Sequence, residues 1–92
     1  MLCVEHESVR PDMVLLGKAL SGGFYPVSAV LADNFIMDNI NPGEHGSTYG
    51  GNPLGVQTAM SAIDVIVEEN LVENSAKMGE KFMTELKQIM DG

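Results

Sequence analysis

Lys18 has the most distinctive chemical setting in this sequence, because it lies between an apolar run and a stretch of small residues. Residues 13–16 (MVLL) precede it closely, and residues 19–23 (ALSGG) follow it. An amine at the mouth of a buried strand is partly desolvated, which favours its neutral form, and a neutral amine can form a Schiff base with an aldehyde. The small residues leave room for a flat cofactor. The spacing alone fits equally a lysine that extends from a strand end to water, which is the commoner case.

A second group of polar residues and glycines, HGSTYGGNP, occupies residues 45–53. Ser47 and Thr48 offer hydroxyl donors, and the glycines let the backbone approach an anion closely. A helix that begins at Pro53 would present free N–H groups nearby. Such a loop can bind a phosphate, although an ordinary glycine-rich connection would have the same composition.

The remaining candidate residues form no catalytic or metal site. His6 and His45 lie far apart in the sequence and have no metal-ligand spacing. Cys3 is the only cysteine, so an internal disulfide is impossible, and we expect it to be a core residue. The sequence therefore predicts no bound metal.

The composition excludes several classes of function. A formal net charge of −8 over 92 residues disfavours binding to nucleic acid and to anionic lipid. No apolar run approaches the ~20 residues that a membrane span needs, and no signal peptide is visible. We expect a protein that is not secreted, in the cytoplasm or the mitochondrial matrix. A chain this short forms at most one small domain, with a marginal core.

Apolar runs and turn signals predict an α/β chain. Asp33 is a favourable N-cap for a short helix through Ile40, and Asn52 with Pro53 marks the start of a longer helix. We predict short strands over residues 2–6, 13–17 and 27–32, a loop over residues 19–26, and helices over residues 33–40, 53–69 and 71–90.

The helix over residues 53–69 is apolar around most of its circumference. Its polar residues form one narrow stripe, Gln57, Ser61, Asp64 and Glu68. A helix of this kind is buried on several sides, and 92 residues contain too little else to cover it. We therefore expect a fragment, or a chain that needs a partner. In the last helix, Glu73 with Lys77 and Lys81 with Glu85 have the spacing of ion pairs on the solvated face.

Two long motifs together resemble one known family. GKALSGGFYPVSAV (residues 17–30) and PGEHGSTYGGNPLG (residues 42–55) are similar to the lysine region and the phosphate loop of class-III aminotransferases, which use pyridoxal 5'-phosphate (PLP). The resemblance extends from Val9 to about Leu86. Within the class it is closest to the branch that acts on ornithine. The acetylornithine branch has related AKALGGG and HGTTYGGNP motifs, but usually not the SGGFYPVSAV continuation.

The resemblance implies a fold and roles for residues. The chain would be part of the large, PLP-binding domain of a fold type I transferase (residues 1–69), running into the start of the small C-terminal domain (residues 70–92). Lys18 would be the catalytic lysine that holds PLP and transfers a proton. Thr48 would bind the PLP phosphate, with Ser47 beside it. The loop that carries Thr48 would reach the active site of the neighbouring subunit of a homodimer.

The implied reaction moves the terminal amino group of ornithine to 2-oxoglutarate, which gives glutamate semialdehyde and glutamate. Two alternatives stay open: another ω-amino-acid aminotransferase, such as one acting on acetylornithine, or a non-catalytic fragment. The family's aspartate for the pyridine nitrogen and its arginine for the substrate carboxylate match nothing in this chain, and Arg10, in a turn, is no substitute. We therefore expect the 92 residues alone to be inactive.

Overall fold

The computed structural model describes residues 1–92 and contains one small sheet. Strands β1 (Met13–Leu16) and β2 (Ala29–Ala32) pair antiparallel, with Met13 opposite Ala32 and Leu16 opposite Ala29. These strands confirm two of the three that the apolar runs predict. Between them, Lys18 and the first residues of the predicted loop form a short 3₁₀ helix, Lys18–Ser21.

The predicted strand over residues 2–6 is wrong, because this segment forms a 3₁₀ helix, Cys3–Glu7. The Glu5 carboxylate accepts a hydrogen bond from the Leu2 N–H at 3.0 Å and pairs with the N-terminal ammonium group. That hydrogen-bonded ammonium group, together with its charge, lowers the pKa of the Glu5 carboxyl group. The local bonds favour a turn over an extended segment with no strand to pair with.

The helix after β2 is shorter than predicted. α1 (Asn34–Met37) is a single turn, and Asp33 occupies its N-cap position without a side-chain hydrogen bond. The Asn39 side chain donates to the carbonyls of Phe35 (2.8 Å) and Ile36 (3.0 Å). Because these carbonyls would accept from the next turn of a continuing helix, the asparagine ends the helix before Ile40.

The two long helices agree closely with the prediction. α2 (Pro53–Glu68) begins at the predicted proline, and α3 (Leu71–Asp91) follows after a break at Asn70. Asn70 has a φ of 52°, a left-handed conformation that asparagine tolerates better than most residues. Both predicted ion pairs of α3 form, Glu73–Lys77 at 2.8 Å and Lys81–Glu85 at 3.8 Å. The domain division proposed at residue 70 stays a prediction.

The chain has almost no core. Only Ser21 and Gly55 are buried, and no apolar side chain is. The accessible surface is 8045 Å², against roughly 5,200 Å² for a compact monomer of this mass. The radius of gyration is 18.2 Å, where a compact domain would have ~12 Å. These 92 residues thus leave uncovered about 2,800 Å² of surface that a compact domain of this mass would bury.

Two expectations about burial are therefore wrong. β1 alternates between exposed and half-buried residues, and Cys3 is exposed. The apolar runs were typical of a buried strand, but the chain supplies no second layer to cover the sheet. None of its helices has the length and apolar character needed to cross a membrane.

We predict that the 92-residue chain alone does not form a stable monomer. Val56, Met60, Ile63 and Val67 of α2 are 38–59% exposed, so each forgoes roughly half of the ~1.5–3 kcal/mol that complete burial would contribute. That sum is comparable to the whole stability of a small domain. Calorimetry should show no cooperative transition, and sedimentation should show self-association. A monodisperse monomer that melts cooperatively would contradict this expectation.

Candidate active site

Lys18 follows the end of β1 in an unusual backbone conformation. Its φ of 50° lies in the left-handed region, which residues with a Cβ atom rarely adopt. Gly17 links it to the strand in an extended conformation. Conformations of this kind persist where the surrounding structure holds them, and they cluster at functional sites. The Lys18 side chain is exposed. The sequence predicts a partly desolvated amine, but nothing within these 92 residues covers it.

Ser21 ends the 3₁₀ helix and fixes the segment that follows. Its side chain is the only one that the chain buries, with 3% of the residue exposed. The Oγ atom accepts from the Tyr25 N–H at 3.0 Å and donates to the Tyr25 carbonyl. Gly22 and Gly23, with φ of 66° and 86°, make the turn between the two bonded residues. We call residues 17–25 the lysine segment.

The lysine segment packs against the first three turns of α2. A Cβ atom on Gly22 would lie 3.6 Å from the Cβ of Ala62, an ordinary contact distance, so the segment and the helix are neighbours here. A Cβ atom on Gly55 would lie 3.3 Å from Cε1 of Tyr25. Gly55 is buried, and a side chain there would have to displace the tyrosine ring. The absence of a side chain at Gly55 therefore lets the tyrosine ring lie against the helix.

The loop before α2 is built from short turns. Ser47 Oγ accepts from the Gly50 N–H at 3.0 Å, and Asn52 Nδ2 donates to the Tyr49 carbonyl at 2.8 Å. The backbone N–H groups of residues 47–49 donate to no acceptor in the chain, and neither does the Thr48 hydroxyl. We call residues 45–52 the hydroxyl loop. It contains several exposed donors that no group of the chain accepts from, and an anion site requires such donors.

The start of α2 contributes less to this donor set than the sequence indicates. Asn52 is the N-cap, and its Oδ1 atom accepts from the Gly55 N–H at 2.8 Å. Pro53 has no N–H, and the Val56 N–H bonds to the Asn52 carbonyl. The Leu54 N–H is the one amide of the first turn left free. The prediction of several free amides here is wrong, because the asparagine satisfies the first turn.

A cleft of about 770 Å³ lies between the hydroxyl loop, α2 and the start of β2. Ser47 is part of its wall, together with Tyr25 and Met60. Lys18 and Thr48 are not. The chain thus joins Ser47 to the end of the lysine segment, but it does not bring Lys18 and Thr48 into one cavity.

Three residues of this arrangement are absent from the sequence predictions of the site. Ser21 and Tyr25 hold the lysine segment, and Asn52 connects the hydroxyl loop to the helix. For Ser21 and Tyr25 the sequence did contain a signal. The serine precedes the tyrosine by four residues, with two glycines between them, and this spacing allows a serine side chain to close a turn. Asn52 was predicted as a cap but not as the donor to Tyr49.

Comparison with known proteins places the whole chain in one family. Residues 1–92 match the family Aminotransferase class-III. The rat protein "Ornithine aminotransferase, mitochondrial" is 64% identical over 88 residues, which is 96% of this chain and 20% of the rat sequence. The chain therefore belongs to the class-III aminotransferase family, and it spans about a fifth of the length of the curated relatives it matches.

Solved structures agree with this assignment. Acetylornithine aminotransferase from Elizabethkingia anophelis has a TM-score of 0.91 and 54% identity, covering 98% of this chain and 22% of that one. Ornithine aminotransferase from Toxoplasma gondii has a TM-score of 0.85 and 44% identity, covering 88% and 19%. The latter, crystallized with oxidized glutathione, holds PLP at partial occupancy in its active site. The chain therefore has the local fold of aminotransferases, which as a class depend on PLP.

Proposed function

We propose that this chain is the segment of an ornithine aminotransferase that carries the cofactor lysine and the phosphate loop. The complete protein would transfer the terminal amino group of ornithine to 2-oxoglutarate. One observation carries the proposal. The exposed amine of Lys18, in a left-handed backbone position, and the unpaired donors of the hydroxyl loop occur together in a chain about 60% identical to ornithine aminotransferases.

The residues present fit PLP by the chemistry of their donors. The cofactor needs one amine for its aldehyde and several donors for its phosphate. Lys18 and Arg10 are the only lysine or arginine residues before Lys77, in a chain with a net charge of −8. Within this chain, the free N–H groups of residues 47–49 and the Thr48 hydroxyl would be the neutral donors for the phosphate. When bound, PLP supplies the electron sink for the chemistry at the amine-bearing carbon.

Lys18 would act twice in the reaction. Its Nζ atom would hold the aldehyde group of the cofactor. As a free amine, the same atom would move a proton to and from the amine-bearing carbon of the substrate. The left-handed backbone at Lys18, held on both sides by the sheet and the 3₁₀ helix, would fix the origin of this side chain.

Thr48, with Ser47 beside it, would bind the PLP phosphate in the active site of the neighbouring subunit of a homodimer. Lys18 and Thr48 line no common cavity within one chain, and the loop that carries Thr48 is exposed. A loop that reaches into a second subunit would account for both observations. Residues 1–69 would then belong to the large domain and residues 70–92 to the small one, with the left-handed Asn70 at the division.

The test of the lysine assignment is reduction of the complete protein with borohydride in the presence of PLP. We expect the reduced cofactor on Lys18, located by peptide mapping. Lys18→Ala should abolish both the adduct and transamination, because no other amine in the chain has this position. Lys77→Ala, Lys81→Ala and Lys87→Ala are matched controls and should leave the adduct intact. Reduced cofactor on one of those three lysines would refute the assignment.

Thr48→Ala should raise the dissociation constant of PLP roughly 10- to 150-fold. The change removes a hydrogen bond to a charged phosphate, worth ~1.5–3 kcal/mol. Thr48→Ser keeps the hydroxyl and should stay close to wild type. An unchanged affinity of Thr48→Ala in equilibrium dialysis would exclude the phosphate role.

Hybrid dimers test whether the loop crosses between subunits. A dimer of one Lys18→Ala subunit and one Thr48→Ala subunit would contain one doubly defective site and one intact site if the loop crosses. It should then hold about half the wild-type amount of tightly bound, reducible PLP. If each subunit uses its own Thr48, both sites are defective and no tight site remains. That second result would contradict the proposed dimer.

The second candidate is an acetylornithine aminotransferase, which the high TM-score to the Elizabethkingia anophelis enzyme favours. The identity of 54% to that enzyme is lower than the 64% to the rat ornithine enzyme. We expect the complete protein to have a higher kcat/KM for ornithine than for N-acetylornithine. The reverse order would establish the second candidate without affecting the role of Lys18.

A further inference from the structure

The geometry points to Ser21 as a positioning residue for Lys18. This inference rests on the proposed function and adds to it a residue that does not itself touch the cofactor. Ser21 acts by closing the lysine segment, so that the Lys18 amine is presented from a fixed backbone. Three features of the structure carry the argument.

The first feature is the burial of Ser21. A chain that buries no apolar side chain nevertheless buries this hydroxyl almost completely. Both its donor and its acceptor capacity are used by one residue, Tyr25. Buried hydroxyl groups are costly unless paired, and this one is paired on both sides. The pair therefore defines one conformation of the intervening residues.

The second feature is the strain that the pair has to hold. Lys18 and Ser21 are the two ends of one 3₁₀ helix. The helix is closed by two backbone bonds, Leu20 N–H to the Gly17 carbonyl (3.2 Å) and Gly22 N–H to the Ala19 carbonyl (2.9 Å). A left-handed lysine is unfavourable on its own. Fixing the far end of so short a helix restricts the backbone of Lys18.

The third feature is the connection to α2. Tyr25, held by Ser21, packs its ring on Gly55, and Gly55 donates to the Asn52 cap at the end of the hydroxyl loop. A continuous series of contacts thus runs from the lysine segment to the hydroxyl loop. Removal of the Ser21 hydroxyl would break the bonds that hold the lysine segment to Tyr25. The hydrogen bonds of Asn52 to Gly55 and Tyr49 would remain.

The test compares two cofactor forms on the complete protein. PLP has an aldehyde and needs Lys18, whereas pyridoxamine 5'-phosphate has none and binds by its phosphate and ring alone. We expect Ser21→Ala to raise the dissociation constant of PLP about tenfold and to change that of pyridoxamine 5'-phosphate less than about twofold. Ser21→Thr, which keeps the hydroxyl, should recover PLP binding. Ser61→Ala is the matched control, an exposed serine of α2 without a hydrogen bond.

A second variant keeps the test decisive if Ser21→Ala does not fold. Gly22→Ala strains the same turn at a φ of 66° without touching Ser21, and it should show the same selective loss for PLP. Equal weakening of both cofactor forms, or of neither, would overturn the positioning role. The Lys18→Ala protein separates this outcome from failure of the proposed function. If Lys18→Ala binds PLP as tightly as wild type does, the function itself is wrong.

Discussion

The contact between the lysine segment and the first turns of α2 is the constraint on which the rest of this structure depends. It is the only place where the chain buries a side chain, and it joins two parts that are distant in sequence. Gly55 leaves space for the ring of Tyr25, and the Ser21–Tyr25 bonds fix the conformation of the lysine segment. Without this contact the small sheet and the two long helices would have little to orient them.

This contact joins the two parts of the candidate site. The lysine segment presents an amine from a strained backbone, while the hydroxyl loop presents neutral donors from short turns. Asn52 connects them, because it caps α2 and also bonds to Tyr49 of the loop.

Much of the local structure follows from the sequence. The strands at residues 13–16 and 29–32, the start of α2 and the break at Asn70 agree with apolar runs and capping signals. The 3₁₀ helix at residues 3–7 and the early end of α1 do not, because side chains of Glu5 and Asn39 take up backbone groups locally. Such bonds depend on geometry that a pattern of apolar and polar residues does not encode.

For the site, sequence motifs predicted which residues to consider but not how they are held. Lys18, Ser47 and Thr48 were predicted from the resemblance to the family, and their roles stay proposals. The left-handed φ of Lys18 and the buried hydroxyl of Ser21 could not be predicted, because both depend on the three-dimensional arrangement of the lysine segment, which a pattern of residue types does not encode. The predicted burial of β1 and Cys3 was too high. Apolar residues indicate that a surface is to be covered, but this chain does not contain the elements that would cover it.

The most direct measurement is a crystal structure of the complete protein with PLP. Our account predicts continuous density between Lys18 Nζ and the aldehyde carbon of the cofactor. It also predicts the phosphate within hydrogen-bond distance of Thr48 from the partner subunit. Cofactor joined to another lysine, or seated away from the lysine segment, would contradict it.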